Sequence, residues 1–443
     1  MHFTKRLLDA RFGGARVVWA IAVAGSSSVS CSSSEGSNQP AIAPDVSSPD
    51  ASLVDGGVVD AGPPESGVAR WDPVPPRPVV CASSPCATSL STTLGEGFCA
   101  LLRDGSVACW GQNDAGQLGR GRLTHSSSTA ERVVGLSNVV ALDRSCAIDS
   151  AGATWCWGTG PFLRDELSPT TTELTPVELP IPPATRVAVA ERTACAVIAD
   201  GVLCWGDNSN GQIAVPELGA SAALSPRAIA IPPGAPITGL FVGNASFVLR
   251  ADGTAISWGA NPPLARVSSL FPDPYPGVIS LEGVSSIGMD RRAACATAGG
   301  TAYCWGLVRE AYNSPAGEVG SVLLDLSLPE PIATPEPLVQ IATSSDWSMV
   351  RFLERACACG VSGDVYCWGN NSSGQVGDGT RAYALTPVRV PGLPEPVAQV
   401  KTSARSTCAL LTSGRVFCWG DNMYGQLGSG AQSGLVPQEV VLP

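Results

Sequence analysis

Histidine is nearly absent from this chain: of 443 residues two are His, and only His125 lies beyond the first thirty. That leaves no Ser-His-Asp or Cys-His arrangement to activate a nucleophile, and no histidine beside a cysteine pair to hold a metal. Charge is sparse as well. Charged residues make up 15%, the formal balance is −11, and there is no basic stripe. Nucleic-acid binding, which rests on neutralising phosphates, is excluded by that balance, as is adhesion to anionic lipid through a charged patch. No Gly-rich stretch ends in Lys followed by Ser or Thr, so there is no phosphate cradle. The apolar run Val17–Gly25 (VVWAIAVAG) is too short for a membrane-spanning helix.

What the chain holds instead is Gly, Pro and Cys, at 49, 37 and 16 residues. Much of this falls in one repeated pattern, fullest at Phe98–Gly121 (FCALLRDGSVACWGQNDAGQLGRG) and again at Thr407–Gly430 (TCALLTSGRVFCWGDNMYGQLGSG). Its first half reads as two short strands around a Gly turn, ending in Cys-Trp-Gly. Its second half, Asn-x-x-Gly-Gln-Leu-Gly, is a run of turn residues. The Trp-Gly ends fall at Trp110, Trp157, Trp205, Trp258, Trp305, Trp368 and Trp419, at intervals of 47, 48, 53, 47, 63 and 51 residues. A period near fifty with several short strands per unit predicts an all-β radial array, in which neighbouring units supply each other's core. Seven units predict a seven-bladed β-propeller over residues 79–443. Later units open with Thr-Pro-Val, as in Thr386-Pro387-Val388, whereas the first lacks that opening and the chain ends in Val436–Pro443 (VPQEVVLP). The last strand is therefore expected to complete the first blade and close the ring.

Residues 1–30 read as a targeting segment, with Lys5, Arg6, Arg11 and Arg16 ahead of the apolar run. Ser28-Val29-Ser30-Cys31 resembles the bacterial lipoprotein processing box, although Ser28 stands where Leu is usual. The resemblance implies lipidation at Cys31, with a secreted soluble protein as the alternative. Residues 31–78, rich in Ser, Pro, Gly and Asp, have too little apolar surface to offset chain entropy and are expected to be a disordered linker.

Twelve cysteines occupy two fixed places in the repeat: Cys99 and Cys109, Cys146 and Cys156, Cys195 and Cys204, Cys295 and Cys304, Cys357 and Cys367, Cys408 and Cys418. Each pair faces itself across a hairpin of a size that allows a disulfide. The fourth unit has Phe247 and Ser257 at these places. Loss of both together is what a covalent pair predicts, and an exported chain meets the oxidising setting. Cys81 and Cys86 are spaced for a further bridge. Cys359 is the odd one, two residues from Cys357, and its state stays open.

The unit CALLxDGxVxCWGxNxxGQLGxG resembles the regulator of chromosome condensation repeat in a cysteine-bearing, exported bacterial form. The resemblance covers residues 79–443; the second half of the motif is kept at Gly111–Gly121, Gly206–Ile213, Gly369–Gly379 and Gly420–Gly430, and departs after Gly158, Gly259 and Gly306. Kelch and sialidase propellers fit less well. The family implies a seven-bladed ring. Its nucleotide-exchange role toward a small nuclear GTPase does not carry over to an exported chain.

Asp104, Asp200 and Asp252 precede Gly in hairpin turns, where Asp is favoured for backbone reasons. No spacing singles out a carboxylate pair, so the chain is expected not to be an enzyme and to need no cofactor or metal. The repeat Trp residues read as blade-to-blade packing. Aromatics outside the repeat rule, Phe162, Phe271, Tyr275, Tyr312 and Trp347, are the candidate binding residues, and the long interval after Trp305 supplies extra loop length for recognition. The resulting expectation is a monomeric, non-catalytic scaffold at the cell surface or in the periplasm that recognises a protein or glycan, touching membrane only through its lipid. The alternatives are a polysaccharide-acting enzyme with carboxylates in the central pit, or a propeller resembling secreted inhibitors of beta-lactamases.

Overall fold

The computed structural model describes residues 74–164, 168–213, 222–289, 292–313, 319–345, 353–430 and 433–443. Among them there is no helix, and 28 strands form seven four-stranded antiparallel blades. Blade 1 consists of β1 (Ala87–Thr92), β2 (Gly97–Leu102), β3 (Val107–Gln112) and β4 (Ser126–Arg132), paired in chain order. The same meander repeats from β5 (Val139–Asp143) to β8 (Thr171–Glu178) and from β9 (Ala184–Val189) to β12 (Ala222–Ile229). Blade 4 runs from β13 (Ile237–Val242) to β16 (Asp273–Val278), and blade 5 from β17 (Val284–Met289) to β20 (Val319–Ile332). Blades 6 and 7 run from β21 (Leu338–Ser345) to β24 (Ala384–Arg389) and from β25 (Val397–Thr402) to β28 (Gly434–Glu439). Blades 5 and 6 are joined at one parallel bridge, Val308 to Leu353.

The two middle strands of a blade are mostly buried, wholly so in β2 (GFCALL) and the first five residues of β3. Between them, in register, lie the sulfur bridges. Cys99–Cys109, Cys146–Cys156, Cys195–Cys204, Cys295–Cys304, Cys357–Cys367 and Cys408–Cys418 are disulfide-bonded, with Cα atoms 4.0–4.1 Å apart. Cys81–Cys86 makes a seventh bridge, and Cys359 is a free, buried thiol 3.4 Å from Gln340 Oε1. In blade 4, Phe247 and Ser257 face each other in the bridge position, and the Phe247 ring lies 6.0 Å from that of Trp305 in blade 5. Elsewhere the sulfurs of one blade share a core cluster with the Trp of the next, as Cys99 and Cys109 do with Trp157. The ring of Phe247 thus fills the space that a disulfide fills in other blades.

The Asn-x-x-Gly-Gln-Leu-Gly run locks neighbouring blades together. Asn113 Oδ1 accepts from the Leu118 amide and Gln117 Oε1 from the Ala115 amide, at 3.0 and 2.8 Å. Asn371 and Gln375 make the same pair of bonds in blade 6. With its side chain so occupied, Gln117 offers its backbone carbonyl to the indole N–H of Trp157, 2.9 Å away. Trp258, Trp419 and Trp110 donate in the same way to Gln212, Gln375 and Gln426. The blades that lack the motif use proline carbonyls: Trp205 donates to Pro161 and Trp305 to Pro263. Trp368 follows the blade whose turn is replaced by the long hairpin of β19 (Thr301–Asn313) and β20, and has no such acceptor among the described residues.

The ring does not close as expected. β28 pairs with β27 (Val416–Gly420) inside blade 7, and blade 1 has its own fourth strand. The reason lies at Ser126–Arg132: SSSTAER lacks the Thr-Pro-Val opening yet pairs as the outer strand all the same, so no strand is left to borrow. Closure comes from the N-terminal side. Arg77 Nη2 donates to Val361 O in blade 6, Val80 N to Thr412 O and Ala87 N to Gly414 O in blade 7. Phe98, Trp110, Cys408 and Cys418 then share one core across the seam. Outer strands consequently keep a free edge. Proline blunts it in six blades, for example Pro176, Pro274, Pro276, Pro387 and Pro437.

Candidate functional site

The meander places the turn after each first strand, and the connection between third and fourth strands, on one face of the ring. At that face the first strands of all seven blades surround a cavity of about 250 Å³. Its wall is divided. Blades 7, 1, 2 and 3 contribute Lys401, Glu96, Asp143, Arg144 and Glu191, whereas blades 4 and 5 contribute apolar groups, chiefly Phe241, Val242, Ile287 and Met289. Glu96 is buried and accepts a hydrogen bond from Ser403 Oγ at 2.7 Å. Asp143 Oδ2 accepts from the Val189 amide at 3.1 Å.

Asp143 and Lys401 are enclosed by protein yet keep part of their surface on the lumen. Burial raises the Asp143 carboxyl above its ordinary pKa, against the pull of Arg144, Lys401 and the Val189 amide. Burial lowers the Lys401 ammonium, Arg144 lowers it further, and Asp143 opposes both. Arg144 itself sits in the left-handed region (φ 49°) at the tight β5–β6 (Cys146–Asp149) turn, its amide donating to Ser91 Oγ at 2.6 Å. The pit therefore holds acidic and basic side chains from four blades, the arrangement that the enzyme alternative expects. Nothing in the repeat spacing marked these residues, because each belongs to a first strand or its turn, which lies outside the motif.

A second feature lies on the rim of blade 4. Val267, Leu270, Phe271, Tyr275 and Val278 are exposed, Phe271 at 77% and Tyr275 at 55%. The segment carrying them is braced. Arg266 donates from Nη2 to Ser257 O and Tyr275 O and pairs with Asp273 at 2.8 Å, while Asp273 also accepts from Ser268 Oγ and the Tyr275 amide. Burial raises the Asp273 carboxyl, but these bonds and the Arg266 charge outweigh it and hold the group below its ordinary value. The apolar side chains are thus presented on a fixed frame.

Of the other aromatics singled out from the sequence, Phe162 is not a surface group. It is 1% exposed, because in the shortened turn of blade 2 it takes the place of Leu118 and packs against Trp205. Tyr312 pairs with Gly320 in the β19–β20 hairpin. Trp347 and Cys31 lie outside the described residues. His125 is exposed, and its ring lies 5.2 Å from that of Tyr424, tilted by 52°.

The repeat architecture has counterparts in known proteins. The family description "Regulator of chromosome condensation (RCC1) repeat" matches residues 362–410 and 413–443, and a second description of that repeat matches 96–117 and 397–426. Over those residues the chain carries regulator of chromosome condensation repeats. It is 27% identical over 378 residues to the ultraviolet-B receptor UVR8 of Arabidopsis thaliana, covering 80% of each chain. To protein RCC2 of Homo sapiens it is 38% identical over 78 residues, which is 17% of this chain and 15% of RCC2. Among solved structures, yeast RCC1 (Prp20) bound to Kap60 aligns with a TM-score of 0.62 at 18% identity, covering 76% of this chain and 84% of that one. Human WBSCR16 aligns at 0.58 and 19%, covering 76% and 95%. At these identities the structural likeness is one of fold. This chain is a propeller, and its sulfur bridges suit it to an oxidising compartment.

Proposed function

We propose that this protein is a non-catalytic recognition scaffold, exported in a bacterium, lipid-anchored at Cys31 and held off the membrane by residues 31–78, and that it captures a partner at blade 4. The observation that carries this reading is the braced apolar rim of Phe271 and Tyr275. Five exposed apolar groups within one twelve-residue segment, 267–278, mark an interaction site. Their aliphatic company, Val267, Leu270 and Val278, favours a protein over a glycan. The yeast RCC1 structure bound to Kap60 supports protein capture as a use of this fold.

A photo-cross-linking residue at Phe271, in intact cells, is expected to give a defined adduct that Tyr275→Ser abolishes while the thermal midpoint stays unchanged. The same probe at Glu178, on the outer strand of blade 2, is expected to give none. Equal adducts at both positions, or an adduct indifferent to Tyr275→Ser, would count against blade 4. Anchoring has its own test: Cys31→Ser is expected to move the protein from the membrane to the soluble fraction, and continued sedimentation with membranes would refute lipidation there.

A further inference from the structure

The full chain contains two lysines, Lys5 and Lys401, so the folded ring places its lone lysine inside the central cavity. That placement is costly, since an ammonium taken from water loses solvation. The cost is not offset by contact. Among the described residues Lys401 has neither a hydrogen bond nor an ion pair, and the guanidinium of Arg144 likewise has no direct partner. The carboxylates beside them are occupied, Glu96 by Ser403 and Asp143 by the Val189 amide. The lining sets three carboxylates, Glu96, Asp143 and Glu191, against these two cations, and Asp143 acts on both through space, yet Arg144 and Lys401 are the charged groups of the pit left without a direct contact.

Between Arg144 in blade 2 and Lys401 in blade 7 lies blade 1, whose Thr93 hydroxyl is buried without a hydrogen-bond partner; Thr402, next to Lys401, leaves another. Buried hydroxyls seldom stay unpaired, and here two line one cavity wall. The opposite wall is apolar, with Phe241 and Met289 only partly buried by their own cores. We propose that this cavity is a binding site for a small organic carboxylate, its anion held between Arg144 and Lys401 and its apolar body lying toward Phe241 and Met289. A carboxylate completes the two cations in a low-dielectric lumen where each contact counts for more than in water. The site is separate from the blade 4 rim and stands whether or not that rim captures a partner.

The test is calorimetric titration of the full exported chain with phenylacetate, phenylacetamide and benzylamine. Phenylacetate is expected to bind at one site, with the amide and the amine at least about tenfold weaker, and with affinity falling as salt is raised. Lys401→Met and Arg144→Gln are each expected to weaken phenylacetate by about tenfold or more, while Lys401→Arg keeps it. Thermal midpoints of the variants identify any that fail to fold, and the other substitution then decides. Equal binding of acid and amide, unchanged affinity in a folded Lys401→Met or Arg144→Gln, or no heat from phenylacetate at about 10 mM, overturns the proposal.

Discussion

After each Gln-Leu of the repeat the backbone turns into the left-handed region, and Gly119 occupies that point with φ +62°. A Cβ there would sit 2.7 Å from Val133 Cγ1 and 3.0 Å from Trp157. Blades 2 and 4 place Leu163 (φ 57°) and Ala265 (φ 58°) at the corresponding point, accepting the strain where the shorter turn leaves room. Gly119→Ala is accordingly expected to destabilise the domain by about 2 kcal/mol, from strain and crowding together. Ala265→Gly is expected to stay within about 1 kcal/mol of neutral, because relief of strain is offset by a lost buried methyl and added chain entropy. Urea unfolding of both variants checks the contrast. A second residue-scale effect concerns turn aspartates. Hydrogen bonds from the Ser106 side chain and amide, then from Arg132, lower the Asp104 carboxyl to about 2. A depressed value means that its contribution is present above the ordinary carboxylate range and is lost as pH falls through the folded value. The NMR titration midpoint of Asp104 is expected near 2, and Asp104→Asn is expected to return it to no titration while slightly lowering stability only above about pH 4.

Within a blade, two solutions to one packing problem coexist: sulfur bridges in six, and Phe247 with Ser257 in the fourth. Closing so short a loop with a disulfide contributes about 2–3 kcal/mol. Cys99→Ala with Cys109→Ala is expected to lose that and leave a void beside Trp157. Cys99→Phe with Cys109→Ser, which copies blade 4, is expected to recover about 1–2 kcal/mol of it by refilling the space. Equal loss in both double variants, by denaturant midpoint, would show that the cross-link alone matters. Between blades the tie is the indole hydrogen bond. Trp157→Phe leaves the Gln117 carbonyl unpaired and a smaller ring in a fully buried site, at an expected cost of about 2–4 kcal/mol.

Across the whole ring, every blade is made of four consecutive strands, and the first and last described segments of the propeller pack at the seam of blades 7 and 1, where Val79 and Leu442 meet one core. A permuted chain that joins Pro443 to Val79 by a short linker and opens between blades 3 and 4, at 232–235, is therefore expected to fold with all its repeat disulfides and a thermal midpoint within a few degrees of the parent. Opening it instead between β2 and β3 of blade 1 divides a bridged hairpin and is expected to lower the midpoint clearly. A permutant of the first kind that fails to fold would mean that the N-terminal segment over blades 6 and 7 closes the ring only in its native connection.

Blade number, the hairpin carrying each cysteine pair and the buried role of the Trp were legible in the amino-acid order because they recur: one local solution, used seven times, prints itself on the chain at a period near fifty. Closure was not legible, since β4 pairs through backbone amides and carbonyls that SSSTAER supplies as well as a Thr-Pro-Val opening does. Phe162 and Phe271 look alike as exceptions to the repeat, yet one is buried beneath Trp205 and the other stands in solvent, a difference set by which turn is short enough to fold its aromatic inward. The pit was hidden for a related reason. Lys401, Asp143, Arg144 and Glu96 are scattered over three hundred residues, and only the circular stacking of blades brings them to a shared lumen.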